Sequence, residues 1–149
     1  MNIRFKAYHS DDEAKVLALF DSNQPDYFAP IERQPFIDFL RSSKKEVYEV
    51  MYAREQLIGA GGYCTQNPKE ARIVWLMIHR SIHGKGLGKM MMQHFAQKIK
   101  KDAKFENISL MTSQLTDAFY AKLGFVTTRE ENDYWFKGMH LRYMEKKLK

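Results

Sequence analysis

The sequence has a single cysteine, Cys64, so no disulfide can form within the chain. A small extracellular domain stapled by cystines is excluded, and a reducing cytoplasm is the expected setting. No apolar stretch approaches the ~20 residues needed to cross a bilayer, so no membrane partner is expected. The opening Met1-Asn2-Ile3-Arg4-Phe5-Lys6 alternates instead of running apolar, which argues against a secretory leader. Acidic side chains are in the minority, 18 against 24 basic, giving a formal charge of +6. That balance fits either an anionic partner or a solvated basic surface, to which the tail Lys146-Lys147-Leu148-Lys149 adds. It is not gathered into a dense basic stripe or a recognition motif, so no nucleic-acid partner is expected.

What is present is enough for one domain, residues 1–149, with a full core. In chain order, Asn2 to Tyr8 alternates as an edge-type strand, and Ser10-Asp11-Asp12-Glu13 reads as a capping box with Ser10 as the cap. Val16, Leu17, Leu19 and Phe20 supply the apolar face of the helix that follows. Pro25 to Pro30 is an aromatic connection, in which Phe28 is expected to plug the core, and Phe36, Phe39 and Leu40 mark a second helix. Glu46 to Ala53 and Leu57 to Thr65 form a hairpin; Gly59, Gly61 and Gly62 in its second arm signal a bulge or a close backbone approach. Asn107 to Thr112 is a further strand. Thr116 to Gly124 is a short helix closed by glycine, Glu130 to Gly138 an acidic, aromatic loop, and His140 to Leu148 the last strand.

The most informative stretch runs from Arg72 to Lys101. Ile73-Val74-Trp75-Leu76-Met77-Ile78 is a continuous apolar run, the pattern of a strand buried on both faces. Leu87, Met91, Phe95 and Ile99 stand four apart and make one helix face. Between them lies His83-Gly84-Lys85-Gly86-Leu87-Gly88-Lys89. A glycine-rich turn from a buried strand into a helix leaves several N–H groups unpaired at the positive end of the helix dipole, a natural phosphate site. It is not a Walker loop, because Met90 stands where Ser or Thr is needed. It is not the dinucleotide fingerprint either, because the glycine spacing is Gly84-x-Gly86-x-Gly88 with Lys89 next.

The turn resembles motif A of the GNAT acetyltransferase superfamily, Arg/Gln-x-x-Gly-x-Gly/Ala, with His83 in the lead position and Gly86 and Gly88 in the two small ones. Phe119-Tyr120-Ala121-Lys122-Leu123-Gly124-Phe125 resembles motif B of the same family, at the expected separation. Phe20-Asp21-Ser22-Asn23 and Tyr27-Phe28-Ala29-Pro30 look like a small bacterial branch whose acceptors are unknown. The resemblance implies an α/β fold with a mixed, mostly antiparallel sheet, splayed after its fourth strand, and about four helices on its faces. It implies an acetyl-CoA-dependent N-acetyltransferase that moves an acetyl group to a primary amine by direct attack on the thioester. The acceptor would be a small molecule or a peptide, and the chain a monomer or homodimer. An acyl-CoA-binding regulatory module without turnover is the alternative.

Carried onto this chain, the resemblance assigns cofactor binding to Leu76, Met77, Ile78, His83, Gly84, Lys85, Gly86, Leu87, Gly88 and Lys89, and the role of general acid to Tyr120. A backbone N–H near Met77 or Ile78 would serve the oxyanion. Ser113 and Arg72 depart from the family's pattern, which often has Asn and Glu there. Arginine cannot accept a proton at ordinary pH, so the base stays open among Glu70, Glu32, His79, Glu130 and a water chain, or the acceptor arrives already neutral and needs none. The acceptor amine is expected near Tyr27, Glu130, Glu131, Asp133, Tyr134 and Trp135. No metal is expected, since His79 and His83 flank a turn without a completing carboxylate. Cys64 is read as a core filler.

Overall fold

Apolar helix faces on either side of a largely buried hairpin set the layers. In the computed structural model, which describes residues 2–148, the strands are β1 Ile3–Ala7, β2 Val47–Ala53, β3 Gln56–Asn67, β4 Glu70–Ile78, β5 Asn107–Thr112, β6 Val126–Phe136 and β7 Met139–Lys147. The helices are α1 Glu13–Ser22, α2 Arg33–Arg41, α3 Leu87–Lys101 and α4 Asp117–Ala121. The strands form one sheet in the order β1-β2-β3-β4-β5-β7-β6, in which β4 and β5 are the one parallel pair among the described residues. Val16, Leu19 and Phe20 of α1 and Phe36 and Leu40 of α2 pack on one face. Met91, Phe95 and Ile99 of α3, with Tyr120 and Phe125, pack on the other. The four-residue spacing of α3 is therefore the spacing of its buried stripe, with Leu87 at its start.

The pairing of β4 with β5 is short. It covers Glu70 with Asn107, Ala71 with Ile108 and Arg72 with Ser109, and then stops. Past that point β5 stays with β7, where Leu110, Met111 and Thr112 face Met144, Tyr143 and Arg142. The other edge of β4 stays with β3, but with a register shift between Ala60 and Gly62. Opposite that shift Trp75 has a φ of 45°, and its carbonyl accepts a bond from the Tyr48 hydroxyl at 2.7 Å. The sheet thus opens between β4 and β5, and the apolar run of β4 does not lie buried on both faces. Val74, Trp75 and Leu76 are half-exposed, because an opening replaces the missing neighbour strand. Gly62 meets the close-approach expectation directly. A Cβ there would stand 1.9 Å from the Val47 carbonyl oxygen, so β2 and β3 could not pair at this register with any side chain present.

Several local expectations need correction. The first cap is His9, whose Nδ1 accepts from the Asp11 amide at 3.0 Å, while Asp12 reaches back to the His9 amide at 3.0 Å; Ser10 lies inside the short 3-10 turn. Glu130 to Phe136 is part of β6, not a loop. The strand is exposed along nearly its whole length, so it shows no alternation of polar and apolar residues to read. Lys146 is not a free tail charge. It sits on β7, donates to the Leu123 carbonyl at 2.8 Å, and lays its stem beside Gly124, which closes α4 at φ +96°. Met1 and Lys149 lie outside the described residues. Among the described residues no helix is long and apolar enough to cross a membrane.

Candidate active site

The opening between β4 and β5 is a cavity of about 560 Å³. Its floor is β4 from Trp75 to Ile78, and one wall is the end of β5 with Ser113 and Thr116. The turn before α3 closes one end, Tyr120 and Phe119 of α4 lie alongside, and Tyr27, Phe28 and Glu32 from the α1–α2 connection roof it. Phe28 also does what the sequence implies for the core, stacking on Phe20 with ring centroids 5.0 Å apart.

The turn is built as an anion cradle. Gly84 and Gly86 have φ values of 79° and 80°, and Gly86 is the residue before α3. In that left-handed conformation a residue with a Cβ is strained by roughly 1–2 kcal/mol, and glycine avoids the cost. Among the described residues none of the N–H groups from Gly84 to Lys89 has an acceptor within the chain. They stand at the positive end of a 15-residue helix. Gly86 looks onto open space, whereas a Cβ on Gly88 would approach Phe119 Cζ to 3.1 Å. Gly88 is therefore small for a second reason, which is to let α4 press against the first turn of α3. Of the residues assigned to this end, Gly84, Gly86, Leu87, Gly88 and Lys89 line the cavity and Lys85 does not. His83 lines it too, but its Nε2 bonds the Ile78 carbonyl at 2.8 Å, and its ring meets the edge of Tyr27 at 5.0 Å. The histidine thus fastens the turn to the end of β4. Asn23, named in the sequence only as part of Phe20-Asp21-Ser22-Asn23, ties the end of α1 to the same Ile78 carbonyl, donating to the Leu19 and Ile78 carbonyls at 2.8 and 3.0 Å.

Tyr120 is buried among aromatic rings, edge-on to Phe119 at 4.9 Å and to Phe125 at 6.1 Å. Its hydroxyl has no hydrogen-bond partner among the described residues. Burial alone pushes the phenol up to about 12, so it holds its proton at neutral pH.

The four candidate bases separate cleanly. Glu70 is buried outside the cavity, accepting from Ser109 Oγ at 2.6 Å and from the Tyr143 hydroxyl at 2.9 Å. Arg72 is bound into the same cluster, donating to the Tyr143 hydroxyl at 2.9 Å. His79 spends Nδ1 on Ser81 and does not line the cavity. Glu130 lies on β6 against Arg142 at 3.1 Å, away from the cavity. Glu131 and Asp133 also stand outside it, while Trp135 lines it and donates from Nε1 to the Thr112 carbonyl at 3.1 Å. Glu32 alone of the four candidates faces the cavity, and it is the one carboxylate among the lining residues. Cys64 is half-buried, and burial pushes its thiol up, as suits a packing residue. Among the described residues no group of His, Cys, Asp and Glu could hold a metal ion.

The family model described as an acetyltransferase (GNAT) domain matches residues 16–148. No curated protein matches the sequence. Among solved structures, Ard1 from Thermoplasma volcanium is 17% identical with a TM-score of 0.82, covering 100% of this chain and 99% of its own. The ribosomal-protein-S18-alanine N-acetyltransferase from Escherichia coli is 13% identical with a TM-score of 0.78, covering 99% and 94%. The yncA acetyltransferase of Salmonella typhimurium, solved with its cofactor acetyl-CoA, is 12% identical with a TM-score of 0.76, covering 100% and 95%.

Proposed function

The chain belongs to the GNAT acetyltransferase family, and from that premise we propose that it transfers an acetyl group from acetyl-CoA to a primary amine, with Tyr120 as general acid. One observation carries the reading: a single cavity joins the unpaired amides of Gly84 to Lys89, the unpaired edge of β4 and the unpartnered hydroxyl of Tyr120. The residues present suit acetyl-CoA. A pyrophosphate needs several N–H donors and a backbone with no Cβ in the way, and Gly86 meets open space. A pantetheine arm needs an exposed strand edge, and β4 beyond Arg72 has lost its partner. When bound, acetyl-CoA supplies the acetyl group as a thioester.

The chain's own residues then have three tasks. The amides from Gly84 to Lys89 hold the phosphates, and a backbone N–H near Met77 or Ile78 steadies the charge that develops on the carbonyl oxygen. Tyr120 protonates the departing sulfur. A phenol pushed up to about 12 holds its proton at neutral pH, so it is there to hydrogen-bond the departing sulfur and to pass the proton on as the nitrogen gives up its own. Yield and turnover of the Tyr120→Phe variant test this. The ring contacts remain, and the lost hydroxyl had no partner to orphan, so the melting temperature should hold. Acetyl-CoA affinity should change little, while turnover falls ~10²–10⁴-fold. Turnover within a few-fold of wild type removes Tyr120 from the mechanism.

A further inference from the structure

The base that the sequence left open is answered by position. A group that deprotonates the incoming amine must face the cavity and be free to accept a proton. Among the residues lining it, only Glu32, His83, Lys89 and the tyrosines Tyr27 and Tyr120 can titrate. A phenol and an ammonium group bring a proton to give and have no site to take one. His83 donates Nε2–H to the Ile78 carbonyl, which leaves Nδ1 able to accept but offers no negative charge to draw in an ammonium. Glu32 remains. It ends the 3-10 turn Pro30–Glu32, and only its Oε2 is engaged, accepting from the Ala29 amide at 2.8 Å. Among the described residues no ion pair holds it. Arg33, next in the chain, is turned to Asp21 at 2.8 Å, and Arg80 to Asp26 at 2.6 Å.

We propose that Glu32 takes the proton from the acceptor ammonium, and that this acceptor is a primary amine carrying an apolar or aromatic substituent. The inference rests on the acetyltransferase reading and names its base and substrate class. The cavity that Glu32 shares is lined largely by apolar side chains, among them Phe28, Trp75, Met111, Leu115, Trp135 and Met139, and among the described residues no second carboxylate lines it. One cationic nitrogen is matched there, while a second charge on the acceptor would go unpaired. Burial has already set the carboxyl for this task, pushing it up to about 7, where the carboxylate form is present and basic enough to compete for an ammonium proton.

The protons balance as follows. The ammonium gives one proton to the Glu32 carboxylate. The neutral nitrogen bonds to the acetyl carbon as the carbon–sulfur bond breaks. Tyr120 protonates the sulfur and is restored by the second nitrogen proton, and the proton on Glu32 leaves to solvent.

Glu32→Gln keeps an oxygen for the Ala29 amide, so the turn survives and only proton acceptance is lost. The probes are phenethylamine, cationic at neutral pH, and hydroxylamine, already mostly neutral there. Wild type should acetylate phenethylamine with kcat/KM rising through a pH near 7. Glu32→Gln should lose ~10²–10⁴-fold in kcat on it, at least tenfold more than it loses on hydroxylamine, with the inflection near 7 gone and acetyl-CoA affinity unchanged. Equal losses on both amines, or a raised KM with unchanged kcat, would overturn the proton-accepting role. A wild type that acetylates hydroxylamine but not phenethylamine would overturn the substrate class. A wild type that binds no acetyl-CoA and acetylates neither amine would instead remove the acetyltransferase reading beneath both.

Discussion

Glu32 has a consequence for stability that is separate from catalysis. Its carboxyl is raised from 4.5 to about 7 by burial. The fold therefore prefers the protonated form. That preference is fully present below pH about 4.5 and is lost as pH climbs through about 7. Each unit is worth ~1.4 kcal/mol. Because the side chain is partly open to solvent, roughly 1–2 kcal/mol of that total is expected after screening. Glu32→Gln is neutral at every pH, so it should match wild type in denaturant unfolding at pH 4 and exceed it by about 1–2 kcal/mol at pH 8. Equal stabilities at pH 8 would mean that the carboxyl is not held out of water. A residue that costs stability where it is charged is what a functional site leads one to expect. Tyr120 was singled out because Phe-Tyr-x-x-Leu-Gly-Phe resembles the family's motif B, and the fold sets it along the cavity. Glu32 stood level with three other candidates, since only the folded cavity tells a carboxylate that faces a ligand from one paired to Tyr143 or Arg142. Glu130 misled for the same reason: an acidic run does not disclose that Arg142 lies opposite it.

At the scale of elements, the turn before α3 is the part most plainly written in the sequence. A continuous apolar strand, three alternating glycines and a four-residue apolar spacing leave few other structures to adopt. Gly86→Val tests its role. A Cβ at this position meets no protein atom within 4 Å, so the variant should fold, losing roughly 1–2 kcal/mol to the left-handed backbone at φ +80°. The branched side chain would stand in the open space before the amides, and calorimetry should find acetyl-CoA binding at least about tenfold weaker. Unchanged affinity in the folded variant would show that the amides do not hold the ligand. β6 was hidden because neither of its faces is buried for long, and a strand without alternation resembles a loop. The cap at His9 was hidden because histidine is not among the usual N-cap residues. The bulge at Trp75 was signalled only indirectly, by the glycines of the neighbouring strand.

For the whole molecule, the decisive feature is where the sheet comes apart. Three residue pairs join β4 to β5, and beyond Arg72 the two strands follow different partners. The buried cluster of Glu70, Arg72, Ser109 and Tyr143 sits where that junction ends, and so marks the hinge of the opening. That the sheet is mixed, mostly antiparallel and splayed after its fourth strand followed from the resemblance carried by the two motifs. The depth of the cavity did not, because it depends on a bulge, on two helices held close through Gly88 and Phe119, and on a roof fastened by Asn23 and His83. Acetyl-CoA binding is proposed to fall to this opening and to no other surface. Its most direct test is amide-resolved NMR of the 15N-labelled protein titrated with acetyl-CoA. Saturable shifts are expected, largest from Gly84 to Lys89 and from Leu76 to Ile78, with the β1–β2 pair nearly still. Shifts centred elsewhere on the sheet, or none at millimolar acetyl-CoA, would contradict it.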